Sequence, residues 1–284
     1  MVFQSLIDVD ALRDLLGKPR VAILDCRFDL MDLKAGRQAY LTGHIPGARH
    51  ADLHRDLSAP VSAFSSRHPL PTPEFFASRL SRLGVSDADQ VVAYDAADGS
   101  FAARLWWMLR WLGHASVAVL DGGFKAWSAA GGAVESGDLP PGRNQFLPRA
   151  AASGQALIVS TAAVIEALRD PQTTLADARA AERFDGTVEP IDPVAGHVPG
   201  AVNHPFTQNL DASGRFLPAA QLRERWQERL AGRSPRNLIA MCGSGVTACH
   251  NLLSLEVAGL SGAKLYAGSW SEWIRDPRRP IAKS

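Results

Sequence analysis

One cysteine in this chain sits where sulfur can do chemistry. Met241-Cys242-Gly243-Ser244-Gly245-Val246-Thr247-Ala248 follows an apolar run that reads as a strand and opens a helical pattern, so Cys242 stands at the strand's end. Two glycines permit the backbone angles of a tight cradle, and a helix head offers unpaired N–H groups with a partial positive charge. The expectation is that these amides face the sulfur, favour thiolate over thiol and make Cys242 a nucleophile. The competing reading is a buried structural cysteine, which is common in cores but seldom opens a glycine-rich strand-to-helix loop.

Two other chemistries fit less well. A phosphatase loop of the Cys-x5-Arg kind needs an arginine six positions after the cysteine to grip phosphoryl oxygens, and that position holds Ala248. A metal site needs grouped ligands, whereas Cys242 and Cys249 stand apart with no His-x3-5-His or Cys-x2-Cys pair beside them. No metal or cofactor is therefore expected. Cys249, two turns along the helix, reads as core.

The elements that must hold this loop are written twice. Leu24-Asp25-Cys26-Arg27 recurs as Ala176-Asp177-Ala178-Arg179, and Gly43-His44-Ile45-Pro46-Gly47-Ala48 recurs as Gly196-His197-Val198-Pro199-Gly200-Ala201. Val91-Val92-Ala93-Tyr94-Asp95 matches Leu238-Ile239-Ala240-Met241-Cys242, and residues 122–127 match 268–273. Four matches in one order indicate a duplicated domain, since the period is too long for a solenoid. In the first copy, 21–25, 91–95 and 117–121 read as buried strands. Thr72-Pro73 starts one helix, and 101–112 forms another. In the second copy the strands are 174–177, 237–241 and 263–266, and the helices 218–230 and 246–258. This alternation predicts an α/β fold with a mainly parallel sheet flanked by helices in each domain, and sites at the carboxyl ends of strands. The Gly-, Pro- and Ser-rich stretch 131–154 reads as linker, which sets domains at 1–135 and 157–284 around a linker of 136–156.

Size and composition agree. At 284 residues the chain exceeds one ordinary core, and 46% hydrophobic with 21% charged residues is globular composition. A net charge of +1, with one dense basic cluster at Arg275, Arg278 and Arg279, argues against nucleic acid as a partner. The N-terminus intersperses Asp8, Asp10 and Asp14 and lacks a signal-peptide pattern. The longest apolar stretch, 156–168, is broken by Ser160, Thr161 and Glu166 and is too short for a membrane span. Three cysteines in so long a chain make a disulfide framework improbable, and a cytoplasmic protein is expected.

The loop, the two Gly-His-(Ile/Val)-Pro-Gly-Ala copies, Trp106-Trp107-Met108-Leu109-Arg110 and Gly268-Ser269-Trp270-Ser271-Glu272-Trp273 together resemble the tandem-domain sulfurtransferases of the rhodanese superfamily, in particular the mercaptopyruvate type. The likeness spans nearly the whole chain. It implies two rhodanese-like domains, the second catalytic through Cys242 and the first structural, because Asp95 stands at the matched position. It further implies attack by Cys242 on the sulfur of a small anionic donor, pyruvate release, and discharge of a persulfide to a thiol such as thioredoxin or a low-molecular-weight thiol, or to cyanide. Relatives specific for thiosulfate carry Arg-Lys in the loop. The neutral Gly243 and Ser244 attract a dianion less, which favours mercaptopyruvate and leaves thiosulfate as the alternative donor. A noncatalytic persulfide carrier or redox sensor is the alternative of another class.

By the same resemblance Gly243, Ser244, Gly245, Val246 and Thr247 line the donor, and Arg183 takes its anionic group through a two-point guanidinium contact. Arg179 is structural. The second arginine usual after Glu-Pro is absent: Glu189-Pro190-Ile191 leads to Asp192, so another cation must substitute or donor affinity falls. Ser244 is placed in a relay with His44 and Asp32, although the occurrence of His197 in the same motif suggests a turn-stabilising role for His44. Thr247 is expected to cap the helix, and the tryptophans to pack.

Overall fold

The computed structural model describes residues 2–142, 144–148 and 157–284. They fall into two compact units, Met1–Ala59 with Leu70–Gly154 and Ala212–Phe216, and Pro60–Pro69 with Gln155–Asp211 and Leu217–Ser284. The units thus differ from contiguous halves by two short segments, 60–69 and 212–216. Residues 143 and 149–156 of the expected linker lie outside the described residues.

The first unit carries strands β1 (Leu6–Ile7), β2 (Val21–Asp25), β3 (Arg49–His50), β4 (Gln90–Tyr94) and β5 (Val117–Leu120), and helices α1 (Val9–Leu15), α2 (Ala35–Thr42), α3 (Pro73–Arg82), α4 (Ala102–Trp111) and α5 (Gly123–Ala129). Its sheet runs β1-β5-β4-β2-β3, parallel throughout. The middle strands are apolar without alternation because helices cover both faces of a parallel sheet. At α3 the expected start signal operates as read: Thr72 Oγ1 accepts the Phe75 amide at 3.2 Å, and Pro73 occupies the first turn.

The second unit repeats this plan with β6 (Thr174–Asp177), β7 (Val202–Asn203), β8 (Leu238–Met241) and β9 (Lys264–Leu265), and α6 (Thr161–Ala167), α7 (Ala181–Asp185), α8 (Ala219–Leu230), α9 (Thr247–Val257) and α10 (Ser269–Trp273). The order is β7-β6-β8-β9, and a parallel bridge from Ile158 to Leu265 stands where β1 stands in the first sheet. Cores form around Tyr94 and Trp127 in one unit and around Tyr266, Trp270 and Trp273 in the other.

Duplication extends to side chains. Asp25 and Asp177 end equivalent strands, and each takes the guanidinium two residues on: Arg27 and Arg179 donate to the carboxylate and then to the carbonyl of Gly43 or Gly196. Each guanidinium lies over an aromatic ring, Phe124 at 4.4 Å and Trp270 at 4.8 Å. A buried charge needs such a paired partner to offset desolvation. Arg179 is thereby committed to the scaffold. Among the described residues no helix is long and apolar enough to cross a membrane.

Candidate active site

Cys242 follows β8, next to β6, on which strand order turns in opposite directions; a parallel sheet opens its crevice at such a point. The loop is fixed on several sides. Ser269 Oγ accepts the Cys242 amide at 3.1 Å, and the carbonyls of Cys242 and Gly243 accept the amides of Trp270 and Ser271. Ser269 adopts φ 53°, a left-handed conformation that costs a residue with a Cβ, and its hydroxyl also donates to the Tyr266 carbonyl. Gly245 has φ +80°, and a Cβ there would stand 2.5 Å from the Ala267 carbonyl oxygen, so only glycine closes this turn. Its amide donates to Cys242 Sγ at 3.2 Å. Among the described residues the sulfur therefore receives one backbone amide where several were expected, and Cys242 as a residue is 2% exposed.

Ser244 points its hydroxyl to a histidine: His68 Nδ1 lies 2.7 Å from Ser244 Oγ, both residues being buried. The residue before it, Arg67, forms a two-point ion pair with Asp192, Nε to Oδ1 at 3.0 Å and Nη2 to Oδ2 at 3.2 Å. Arg183 donates to Glu189 and, through Nη2, to Asp192 Oδ2 at 3.1 Å. Both guanidiniums close on Gly243. A Cβ on that glycine would lie 2.8 Å from Arg67 Nη2 and 3.6 Å from both Nη atoms of Arg183. Burial alone would raise the Glu189 carboxyl, but hydrogen bonds from Arg183 and from the amides of Asp192 and Ile191 outweigh it and hold the group below its ordinary value.

Arg67 stands beside Arg183 as a second guanidinium, and Asp192 holds both. Asp192 meets no donor carboxylate in this arrangement, since both its oxygens are taken by arginines. This was not legible in the sequence because Ser65-Ser66-Arg67-His68 precedes the loop by some 175 residues and matches no repeat. The one available signal was an Arg-His pair in a Ser- and Pro-rich stretch with no other task.

Three expectations need correction. The histidine bonded to Ser244 is His68, not His44. His44 Nδ1 is 2.9 Å from the Tyr40 carbonyl, its ring stacks on Tyr40 at 4.1 Å, and its backbone bridges Glu135. His197 repeats this with the Phe184 carbonyl and ring and with Ala282. Shared geometry in both copies marks the motif as a device for fixing a turn. Asp32 is exposed and organises the start of α2, accepting the Lys34 amide on Oδ1 and the Ala35 amide on its carbonyl. Thr247 is the first residue of α9 and Val246 holds the cap position, so no hydroxyl caps this helix.

Asp95, one position past β4, shows what the first copy does with the same cradle. Its carboxylate accepts the amides of Ala97, Gly99, Phe101 and Ala102, at 2.9 to 3.3 Å. The helix head is filled by the protein's own anion. The Asp95 and Ala96 carbonyls accept the Phe124 and Lys125 amides, as those of Cys242 and Gly243 accept the amides of Trp270 and Ser271.

Comparison with known proteins agrees with this geometry. The family model described as "Rhodanese-like domain" matches residues 8–130 and again 160–276. A Pseudomonas aeruginosa protein with 3-mercaptopyruvate sulfurtransferase in its name is 51% identical, over 98% of each chain. A Mycobacterium tuberculosis protein with thiosulfate sulfurtransferase in its name is 40% identical, over 94% of this chain and 92% of its own. The solved structure of 3-mercaptopyruvate sulfurtransferase from Leishmania major superposes with a TM-score of 0.82 at 33% identity, covering 95% of this chain and 74% of the other. The chain belongs to the rhodanese-like family, with two such domains. Within it, the activity is that of a sulfurtransferase.

Proposed function

We propose that the sulfur donor is 3-mercaptopyruvate and that Cys242 carries the sulfur as a persulfide to a small thiol, a thioredoxin-like protein or cyanide. The observation that carries this reading is the pair of guanidiniums at Gly243, one residue from the nucleophile. Arg67 and Arg183 each spend Nε and Nη2 on carboxylates and keep Nη1 without a hydrogen bond among the described residues, so two donors remain for one carboxylate. Arg67 and Arg183 are matched by Asp192 and Glu189. The cluster therefore has little positive excess for a dianion, which weighs against thiosulfate.

In the proposed step the Cys242 thiolate attacks the donor sulfur. A sulfur–sulfur bond forms, the carbon–sulfur bond breaks, and its electron pair stays on the methylene carbon, which takes a proton to give pyruvate. His68, hydrogen-bonded to Ser244, is the group placed to hold and relay that proton. An acceptor thiolate then attacks the outer persulfide sulfur and restores the Cys242 thiolate. Steady-state kinetics with both donors test the assignment: kcat/KM for mercaptopyruvate should exceed that for thiosulfate, and the reverse order would overturn it.

A further inference from the structure

A second concentration of cations lies in the first unit. Arg37 and Tyr40 on α2, Arg49 and His50 on β3, Arg55 and Asp56 after it, Arg79 and Arg82 on α3, and Asp138 line a cavity of about 220 Å³. Five guanidiniums face two carboxylates there. In a chain of net charge +1 this is a marked local excess, gathered by the fold from four separate stretches of sequence.

The two carboxylates hold only part of the set. Asp56, buried, takes Arg79 through Nε at 2.8 Å and Nη2 at 2.6 Å and also takes Arg55, while Asp138 pairs with Arg37. Arg49 has no carboxylate partner among the described residues: its Nε donates to the Pro140 carbonyl at 3.3 Å. Arg82 makes no side-chain hydrogen bond or ion pair among the described residues. His50 adds a second kind of group. It is 4% exposed, its Nε2 lies 3.0 Å from the Arg27 carbonyl and must donate to it, and its Nδ1 is buried with no partner among the described residues. A neutral ring bonded in this way presents Nδ1 as an acceptor, and an acceptor left unmet in the interior costs free energy.

We infer that this cavity binds a small phosphate-bearing anion. A carboxylate satisfies one guanidinium fork in its plane, whereas a tetrahedral phosphate offers oxygens in several directions to Arg49, Arg82 and the outer nitrogens of the paired arginines. Asp138, Leu139 and Pro141 from the segment after α5 form one wall, so an occupied site also tethers that segment to α2 and α3.

The test is isothermal titration of the full chain with inorganic phosphate, with acetate and chloride at matched ionic strength as controls. Arg49→Gln with Arg82→Gln removes the two guanidiniums that no carboxylate holds, so neither substitution strands a buried charge. Phosphate should bind more tightly than acetate, the double variant should weaken it by roughly 10-fold or more, and Arg183→Gln, at the sulfur-transfer site, should leave it unchanged. Sulfurtransferase turnover without phosphate should match wild type in the double variant, which also shows that it folds. Binding no tighter than acetate, binding unaffected by the double substitution, or binding abolished by Arg183→Gln would each overturn the inference.

Discussion

His68 Nδ1 stands 2.7 Å from Ser244 Oγ, two residues along the loop from the nucleophile. A hydroxyl in contact with an imidazole can pass a proton that neither the sulfur nor the arginines can supply. His68→Gln should therefore lower kcat by ~100-fold with little change in donor KM. His44→Gln should instead lower stability and leave kcat near the wild-type value. Equal kinetic effects from the two variants would refute the assignment.

Arg183 makes its contacts with a planar fork that an ammonium cannot reproduce. Arg183→Lys and Arg67→Lys should each raise the mercaptopyruvate KM by roughly 10-fold, with a smaller effect on kcat. A KM that stays at the wild-type value in both would remove the carboxylate clamp from the account.

Glu189 is needed as a carboxylate, and hydrogen bonds from Arg183 and two backbone amides hold it below its ordinary value. A depressed carboxyl stabilises the fold above the unfolded value and loses that contribution as pH falls through the folded one. Donor KM should accordingly rise only at a pH below that at which an ordinary glutamate begins to protonate. In Glu189→Gln the rise should already be present at neutral pH, and a variant indistinguishable from wild type there would contradict the role given to Glu189.

Gly245→Ala combines φ +80° with a carbonyl 2.5 Å from the new Cβ. The loop cannot keep both its turn and its hydrogen bond to Cys242, so a loss of roughly 3 kcal/mol in stability and most of the activity is expected. Calorimetry and turnover measured together check this. An active variant of wild-type Tm would show that the loop needs no left-handed residue.

Much of the scaffold was visible in the sequence because it rests on local signals. The apolar runs of β2, β4, β6 and β8, the Thr72 cap and the repeated Asp-x-Arg and Gly-His-x-Pro-Gly units each state their own structure within a few residues. Two-residue strands such as β3 and β7 and the short helix α7 left no periodicity to read. At the candidate site, the proposals for Cys242 and Arg183 came from motif. Arg67 and His68 were not, because their place beside Ser244 and Asp192 is a long-range contact that no spacing encodes. The exposed, helix-starting Asp32 and the stacked His44 were misread for the same reason: residue type was right for a relay, and only coordinates distinguish a relay from a turn.

In the proposed reaction sulfur passes through Cys242. Peptide mass spectrometry after mercaptopyruvate is added without an acceptor tests it most directly. The peptide bearing Cys242 should gain one sulfur atom, lose it when a thiol is supplied, and show no gain in Cys242→Ser. Sulfur found on Cys26 or Cys249, or steady turnover by Cys242→Ser, would contradict it.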